Sequence, residues 1–146
     1  AWIDEFCRHV ERLQQCEPRV FVAMLGGAAG TFASFGEQGQ TLQDAYARRL
    51  GMTSMPVPSR TTHDFAAEYT CILAMIGSSS ARIAIEVFNG MKEEYAEVKE
   101  PIPAGTVGSS TMTQKRNPIL CERITGLARV LRGNAQAAVE NVALWH

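Results

Sequence analysis

The chain has 146 residues, of which 46% are hydrophobic and 20% are charged, and this composition is typical of a globular domain rather than of a disordered segment. The formal net charge of -1 gives no general attraction to nucleic acid or to an anionic membrane, so we expect neither as a partner. Any anion that the protein binds must therefore be held by a few local cations, and Lys115 and Arg116 are an adjacent pair that could do so.

The cysteines indicate a reducing compartment. No two of them have CxxC spacing, and Cys7 and Cys16 are nine residues apart, which is about 180° around an α-helix. We therefore expect buried free thiols in a reducing cytoplasm, rather than disulfides or metal ligands. We also expect no cofactor. Residues 1–10 carry Asp4, Glu5 and Arg8 in place of the apolar run of a signal peptide, so we expect no secretory signal.

The first predicted helix covers residues 2–13, where apolar side chains recur every three or four positions between charged ones. This pattern places His9 on the surface of a helical bundle. The uncharged run at 20–36 is nearly long enough to span a membrane, but its four glycines argue against a span. We interpret Gly26, Gly27 and Gly30 as packing residues rather than as a phosphate cradle.

Two further helices are predicted in the middle of the chain. A short one begins with Thr41 as its cap and ends before Gly51. A long one begins near Thr62 or Asp64 and extends to about Val98. Glycine and serine at 77–80 weaken the long helix locally, which predicts a kink there.

The segment "GSSTMTQKRNP" at 108–118 belongs to a predicted surface loop over residues 105–117. Asn117 and Pro118 form a cap and first-turn pair for a last helix that reaches Asn141 or beyond. Backbone N–H groups at that helix start, the Lys115 ammonium and the hydroxyls of the loop would together suit a carboxylate or a phosphate. A merely solvated loop has the same composition, and the segment is not a P-loop.

These patterns predict an all-α fold, a bundle of long helices over residues 1–146 that is incomplete at both ends. No alternating strand pattern and no internal repeat is present in the sequence.

The loop "GSSTMTQKRNP" resembles the GSSxMPxKxNP loop of the fumarase/aspartase superfamily. The resemblance extends to "LGGAAGT" at 25–31, "AEY" at 67–69, "EVKEP" at 97–101 and "ITGLARVLRGNAQAAVENVALWH" at 124–146, in order and spacing. It covers nearly the whole chain, which is most similar to the adenylosuccinate lyase branch. The 3-carboxy-cis,cis-muconate cycloisomerase branch shares the glycine-rich stretch and the KRNP loop.

The resemblance implies the central helical domain of a homotetrameric lyase whose active sites each combine three chains. The implied reaction is a β-elimination that releases fumarate from a small anionic substrate. Ser109 would be the base that removes the proton beside a carboxylate. The implied substrate-binding residues are Ser110, Met112, Lys115, Asn117 and His63. Only the resemblance assigns the role of base to Ser109 rather than to the adjacent Ser110.

Two departures from the family pattern bear on the substrate. Thr113 and Gln114 replace a Pro-His pair before the lysine, which removes an imidazole and frees one backbone φ angle. His63 stands where the family has an arginine, and a neutral histidine cannot replace a permanent guanidinium. A histidine near a helix start is also typical of a surface or capping position.

The resemblance further implies that the general acid comes from histidine-bearing segments that precede the position matching Ala1. We therefore expect the 146-residue chain on its own to be inactive. A non-catalytic helical scaffold that keeps the fold and has lost the chemistry is the alternative from a different functional class.

Overall fold

The structure, a computed structural model, describes residues 1–101, 105, 108–112 and 114–144. Over this part of the chain it contains helices α1 (Trp2–Val20), α2 (Gly39–Leu50), α3 (Asp64–Gly90) and α4 (Ile119–Val142). Two strands of two residues each, β1 (Val22–Ala23) and β2 (Thr53–Ser54), pair in parallel. The predicted all-α class is confirmed, because the strands are short connectors between helices.

The chain divides into two compact units. The first comprises residues 1–72 and 134–146, and the second comprises residues 73–133. The first unit therefore contains α1, α2, both strands, the start of α3 and the end of α4. The second contains the loop before α4 and the helical segments that flank it.

Helix α1 is longer than predicted, because it ends at Val20 rather than at residue 13. Arg19 in its last turn explains part of the extension, since a cation there complements the helix dipole. The Arg19 guanidinium also donates to the Glu68 carboxylate on α3, with 3.1 Å between Nε and Oε2. Cys7 and Cys16 are free thiols, as predicted from their opposite positions on the helix, but the expectation that they are buried holds for Cys16 and is wrong for Cys7, which is exposed.

The predicted surface position of His9 is wrong. Its side chain is 5% exposed and lies edge-on to the Phe6 ring, with 5.6 Å between ring centroids. Arg12 Nη1 lies 3.3 Å from His9 Nδ1. The imidazole is buried because its ring can pack like an aromatic residue while its Nδ1 keeps a partner, Arg12, on the same helix.

The glycine-rich stretch after β1 is a loop, and its glycines have different roles. A Cβ on Gly26 would lie 2.4 Å from Pro58 Cβ, and a Cβ on Gly30 would lie 2.1 Å from the Pro58 carbonyl oxygen. The packing interpretation therefore fits these two positions. Gly27 has no atom within 4 Å of such a Cβ but has a φ of +75°, so it is required for its backbone conformation instead.

Gln43 on α2 holds this loop to the strands. It is fully buried, accepts a hydrogen bond from the Leu25 amide at 2.8 Å, and donates to Ser54 Oγ at 3.0 Å and the Met55 carbonyl at 2.7 Å. Thr41 is not the cap of α2, since the helix begins two residues earlier after a short 3-10 turn, Gly36–Gln38. Gly51 ends α2 in the left-handed conformation, as predicted.

Helix α3 runs unbroken through residues 77–80 and ends at Gly90. Ser78 and Ser80 there donate to the carbonyls of Ala74 and Ile76, one turn earlier. The predicted extension to Val98 is wrong, because the amides of Glu97 and Val98 both turn back to the Gly90 carbonyl.

By length and composition, α3 is also a helix that could cross a membrane. The core helix of a soluble protein has the same properties, and a third (33%) of the most apolar window of α3 is buried inside the structure. Its buried residues include Ala67, Ile72, Ala74, Ala81 and Ala84.

Candidate active site

The predicted loop lies in the second unit, between the turn that follows α3 and the start of α4. Of residues 105–117, the structure describes 105, 108–112 and 114–117. Thr113, one residue of the Thr113-Gln114 departure from the family pattern, lies outside the described residues, whereas Gln114 is described and exposed. All the described candidate residues except His63 lie in this one loop.

Ser109 is a half-buried residue whose side chain begins a tight turn. Its Oγ accepts hydrogen bonds from the Thr111 amide at 3.3 Å and from the Met112 amide at 3.1 Å. Serine side chains commonly bind nearby backbone amides in this way. Two N–H groups therefore point at the oxygen that would carry negative charge if Ser109 lost its proton.

Ser110 has a different environment. It is exposed, and its Oγ lies 3.5 Å from Thr111 Oγ1, which is the outer limit of a hydrogen bond. The two adjacent serines, which sequence reasoning alone could not separate, thus differ in the contacts of their hydroxyls. Two amide donors converge on the Ser109 hydroxyl, whereas the Ser110 hydroxyl makes a weak contact with another hydroxyl.

The other candidate residues of the loop follow the same turn. The Lys115 amide donates to the Met112 carbonyl at 3.2 Å, and both side chains are exposed. Asn117 is half-buried, and its Nδ2 lies 3.5 Å from the Gly108 carbonyl oxygen. The Asn117 contact brings the end of the loop back to the residue before Ser109.

The start of α4 differs from the prediction, because a residue outside the predicted site caps it. Asn117 and Pro118 both precede the helix, which begins at Ile119, whereas Pro118 was predicted in its first turn. The carboxylate of Glu100 accepts the Leu120 amide at 3.0 Å and the Cys121 amide at 2.8 Å. These two amides were expected to be available to an anionic ligand, and they are already bonded within the protein.

The ionisation states of Glu100 and Cys121 follow from their contacts at this cap. Burial opposes ionisation of Glu100, but hydrogen bonds from the Cys121 thiol and the two amides outweigh it, so the pKa of the carboxyl lies below its ordinary value. Burial and the neighbouring Glu100 raise the pKa of the Cys121 thiol to about 11. The carboxylate is therefore the negative charge of this pair, and Cys121 stays a neutral thiol at pH 7.

Sequence reasoning did not find Glu100. It lies in the "EVKEP" stretch that carries part of the resemblance, but no local pattern links it to amides twenty residues further along the chain. The one local signal is the absence of a good cap at Pro118, whose side chain has no hydrogen-bonding atom.

His63 lies in the first unit, immediately before α3. Its carbonyl accepts the Ala67 amide at 3.1 Å, and its half-buried side chain lines a cleft of about 270 Å³. The other residues that line the cleft are Ala66, Ala138, Asn141 and Leu144. An imidazole and one amide in an otherwise apolar wall can orient a ligand by hydrogen bonds. The described part of this wall contains no guanidinium or ammonium.

Among the described residues, no three His, Cys, Asp or Glu side chains lie close enough together to hold a metal ion. The polar groups of the loop are hydroxyls, backbone amides, one ammonium and one amide side chain. Such groups suit an anionic organic ligand.

Comparisons with known proteins agree with the fold and with the resemblance to lyases. A sequence model of a family described as "Lyase" matches residues 1–133. An adenylosuccinate lyase from Pyrococcus abyssi is 43% identical over 99% of this chain and 32% of its own length. An N-acetyl-S-(2-succino)cysteine lyase from Dickeya dadantii is 35% identical over 100% of this chain and 32% of its own length.

A solved structure gives the same result. The crystal structure of a β-carboxy-cis,cis-muconate cycloisomerase from Acinetobacter calcoaceticus matches with a TM-score of 0.85 and 26% identity, over 99% of this chain and 31% of that one. The chain thus spans about a third of the length of the relatives that it matches. The match over 133 of 146 residues shows that the chain belongs to the lyase family of the fumarase/aspartase superfamily.

Proposed function

We propose that this chain is the central helical-bundle domain, residues 1–146, of an enzyme that releases fumarate by β-elimination from adenylosuccinate or a close relative of it. The natural protein would be a cytoplasmic homotetramer. The observation that carries the proposal is the pair of backbone amides on Ser109 Oγ, in a loop that also presents Lys115 and Asn117. The adenylosuccinate lyase at 43% identity supports the choice of substrate.

Ser109 is suited to be the base. A serine hydroxyl is a weak base unless its alkoxide is stabilised, and two converging N–H groups are stabilisers of the right kind. In the proposed first step, the alkoxide takes the proton from the carbon beside a substrate carboxylate. The electron pair of that C–H bond moves into the carboxylate, which becomes a dianionic aci-carboxylate.

Lys115 and Asn117 would hold this intermediate. The exposed Lys115 ammonium can pair with the developing negative charge, and the Asn117 amide can donate to the same group. Elimination then returns the electron pair to form the double bond of fumarate, and the C–N bond to the amine breaks. A proton donor for the departing amine is needed in this step, and we assign it to a part of the natural protein other than this loop.

The two adjacent serines provide a matched test of the base. In the natural full-length protein, we expect Ser109→Ala to lower kcat by roughly 10²- to 10⁴-fold, the range for loss of a general base. Ser110→Ala should lower kcat much less and act mainly on KM, because its hydroxyl is exposed and lacks the two amide donors. Fumarate absorbance with adenylosuccinate as substrate measures both. A Ser109→Ala enzyme with wild-type kcat would exclude Ser109 as the base.

A second candidate function is that of a 3-carboxy-cis,cis-muconate cycloisomerase, which the structural match with a TM-score of 0.85 favours. The absence of a cation from the described wall around His63 points the same way, since a nucleotide phosphate calls for cationic partners. A succinylated thiol, as in the name of the Dickeya relative, is a third substrate of the elimination type.

Nucleotide binding separates these substrates. Adenylosuccinate contains an AMP moiety, so we expect AMP to bind the natural full-length protein in isothermal titration calorimetry, and we expect adenylosuccinate to be turned over. Absence of heat at millimolar AMP, together with turnover of carboxymuconate or of N-acetyl-S-(2-succino)cysteine, would move the assignment to that substrate. No turnover of any of the three would favour the non-catalytic scaffold.

A further inference from the structure

We propose that Glu100 is a positioning residue of this site, whose carboxylate fastens the catalytic loop to the first turn of α4. The inference rests on the proposed lyase function for its kinetic consequence, and it rests on the described contacts alone for its structural one. Glu100 itself touches no reacting atom in this assignment.

The hydrogen bonds around the loop form a nested series. The outermost members join the Glu100 carboxylate to the Leu120 and Cys121 amides at 3.0 and 2.8 Å. The next brings Asn117 Nδ2 to within 3.5 Å of the Gly108 carbonyl, and the innermost places the Met112 amide 3.1 Å from Ser109 Oγ. These outermost bonds close a loop between Glu100 and the start of α4, and we call them the closure. Every described candidate residue of the loop lies between the two ends that the closure joins.

A carboxylate is the group best suited to this closure. Its two oxygens satisfy two of the amides that have no partner within the helix, and its negative charge complements the positive end of α4. The two amides bind different oxygens of the carboxylate, Leu120 N at Oε2 and Cys121 N at Oε1, so both oxygens are held. Pro118 could not do this, because its side chain has no acceptor.

The closure also directs the substrate. Because the Leu120 and Cys121 amides are bonded to Glu100, a substrate carboxylate is left with Lys115 and Asn117 as its partners in the loop. A fixed negative charge at the helix start repels a second anion from that position. Glu100 thus favours the orientation in which the substrate faces Ser109.

Loss of the Glu100 carboxylate should lower kcat much more than it changes KM. In Glu100→Ala, residues 101–119 lose the closure at their base, and a displacement of about 1 Å between catalytic groups can cost roughly 10²-fold in rate. We expect kcat in the natural full-length protein to fall about 10- to 100-fold while KM changes by less than about threefold. Glu100→Gln keeps the side-chain length and one acceptor oxygen, so its kcat should lie between those of Glu100→Ala and the wild type.

Limited trypsin digestion tests the closure without any substrate. Lys115 and Arg116 are exposed loop residues, and mass spectrometry can follow cleavage after each of them. We expect cleavage there to accelerate by roughly threefold or more in Glu100→Ala, because local opening governs proteolysis of a folded protein. Cleavage after Arg48 and Arg49 on α2 is the internal reference, since global unfolding would accelerate all four cuts.

Glu94→Gln is the matched control, because it removes an exposed carboxylate from the same connector and should behave as the wild type in both assays. The positioning role is wrong if Glu100→Ala keeps kcat within about twofold of an active wild type. It is also wrong if the substitution accelerates cleavage after Lys115 and Arg116 no more than it accelerates cleavage at the reference sites. If the wild type itself releases no fumarate from any of the three substrates, the proposed function fails, and the digestion still decides whether Glu100 holds the loop.

Discussion

The environments of individual side chains in this protein depend on their contacts in the fold more than on the sequence pattern around them. Ser109 and Ser110 are adjacent residues of the same type, and they differ because two backbone amides of the loop donate to the Ser109 hydroxyl. His9 follows a polar pattern in the sequence, yet its ring is buried against Phe6. A pattern gives the face of a helix, but contacts from the rest of the fold decide what happens to an amphipathic side chain.

Gln43 is the clearest case of a side chain with a role that only the fold reveals. It is fully buried, and its amide group satisfies the Leu25 amide and the Met55 carbonyl at once. Its position in a short amphipathic helix gave no sign of this, because the partners come from a loop eighteen residues earlier and a strand end twelve residues later.

We therefore expect Gln43→Ala to destabilise the protein by about 2 to 5 kcal/mol, because it leaves several buried polar groups without a partner at roughly 1 to 3 kcal/mol each. Gln40→Ala is the matched control on the same helix, since Gln40 is exposed and bonds mainly to Asp44 one turn away. It should cost less than about 0.5 kcal/mol. Urea unfolding followed by circular dichroism measures both changes, and equal effects would contradict the assigned role of Gln43.

Helices were predicted correctly where local signals are strong and wrongly where a distant residue decides. The end of α2 follows from Gly51, which adopts the left-handed conformation with a φ of +68°. The end of α3 was predicted too late, because apolar residues continue past Gly90 into a turn that keeps the helical spacing without the helix. The start of α4 was placed within one or two residues, but its cap comes from Glu100 rather than from Asn117.

The same distinction applies to the candidate site. A motif read along the chain collects Ser109, Met112, Lys115 and Asn117 correctly into one loop, because they are neighbours in sequence. It cannot supply Glu100, whose contribution depends on the path of the chain between α3 and α4. It also overestimated the free amides at the start of α4, because a helix start that is open in the sequence can be occupied in the fold.

At the scale of the whole molecule, small and large apolar side chains are found in opposite places. Most of the buried apolar residues in the described part of the chain are alanines, together with Cys16, Ile72 and Cys121. Many large apolar side chains are exposed instead. On α4 the exposed ones are Ile119, Leu120, Ile124, Leu127, Val130, Val139 and Val142.

The spacing of these residues indicates a contact surface. Leu120, Ile124 and Leu127 lie within about 60° of one another around the helix, and Leu127 is 65% exposed. A stripe of this kind on a helix is normally covered by another helix. The long alanine-rich segments allow close backbone approach inside the chain, while the large side chains on the outside leave apolar area for a further partner.

This distribution predicts self-association of the 146-residue chain. Exposed apolar patches larger than a few hundred Å² drive association, and a second copy of the chain offers the same helical stripe. Sedimentation velocity between about 1 and 100 μM should show a sedimentation coefficient that rises with concentration.

The stripe itself is tested by the double substitution Leu120→Lys and Leu127→Lys, which places two like charges on it and should shift the distribution toward monomer. The control Arg123→Lys, at an exposed polar position, should leave the distribution unchanged. A wild-type chain that stays monomeric across this range would show that its exposed stripe is not a contact surface between copies, and it would remove the physical support that this chain gives to a homotetramer.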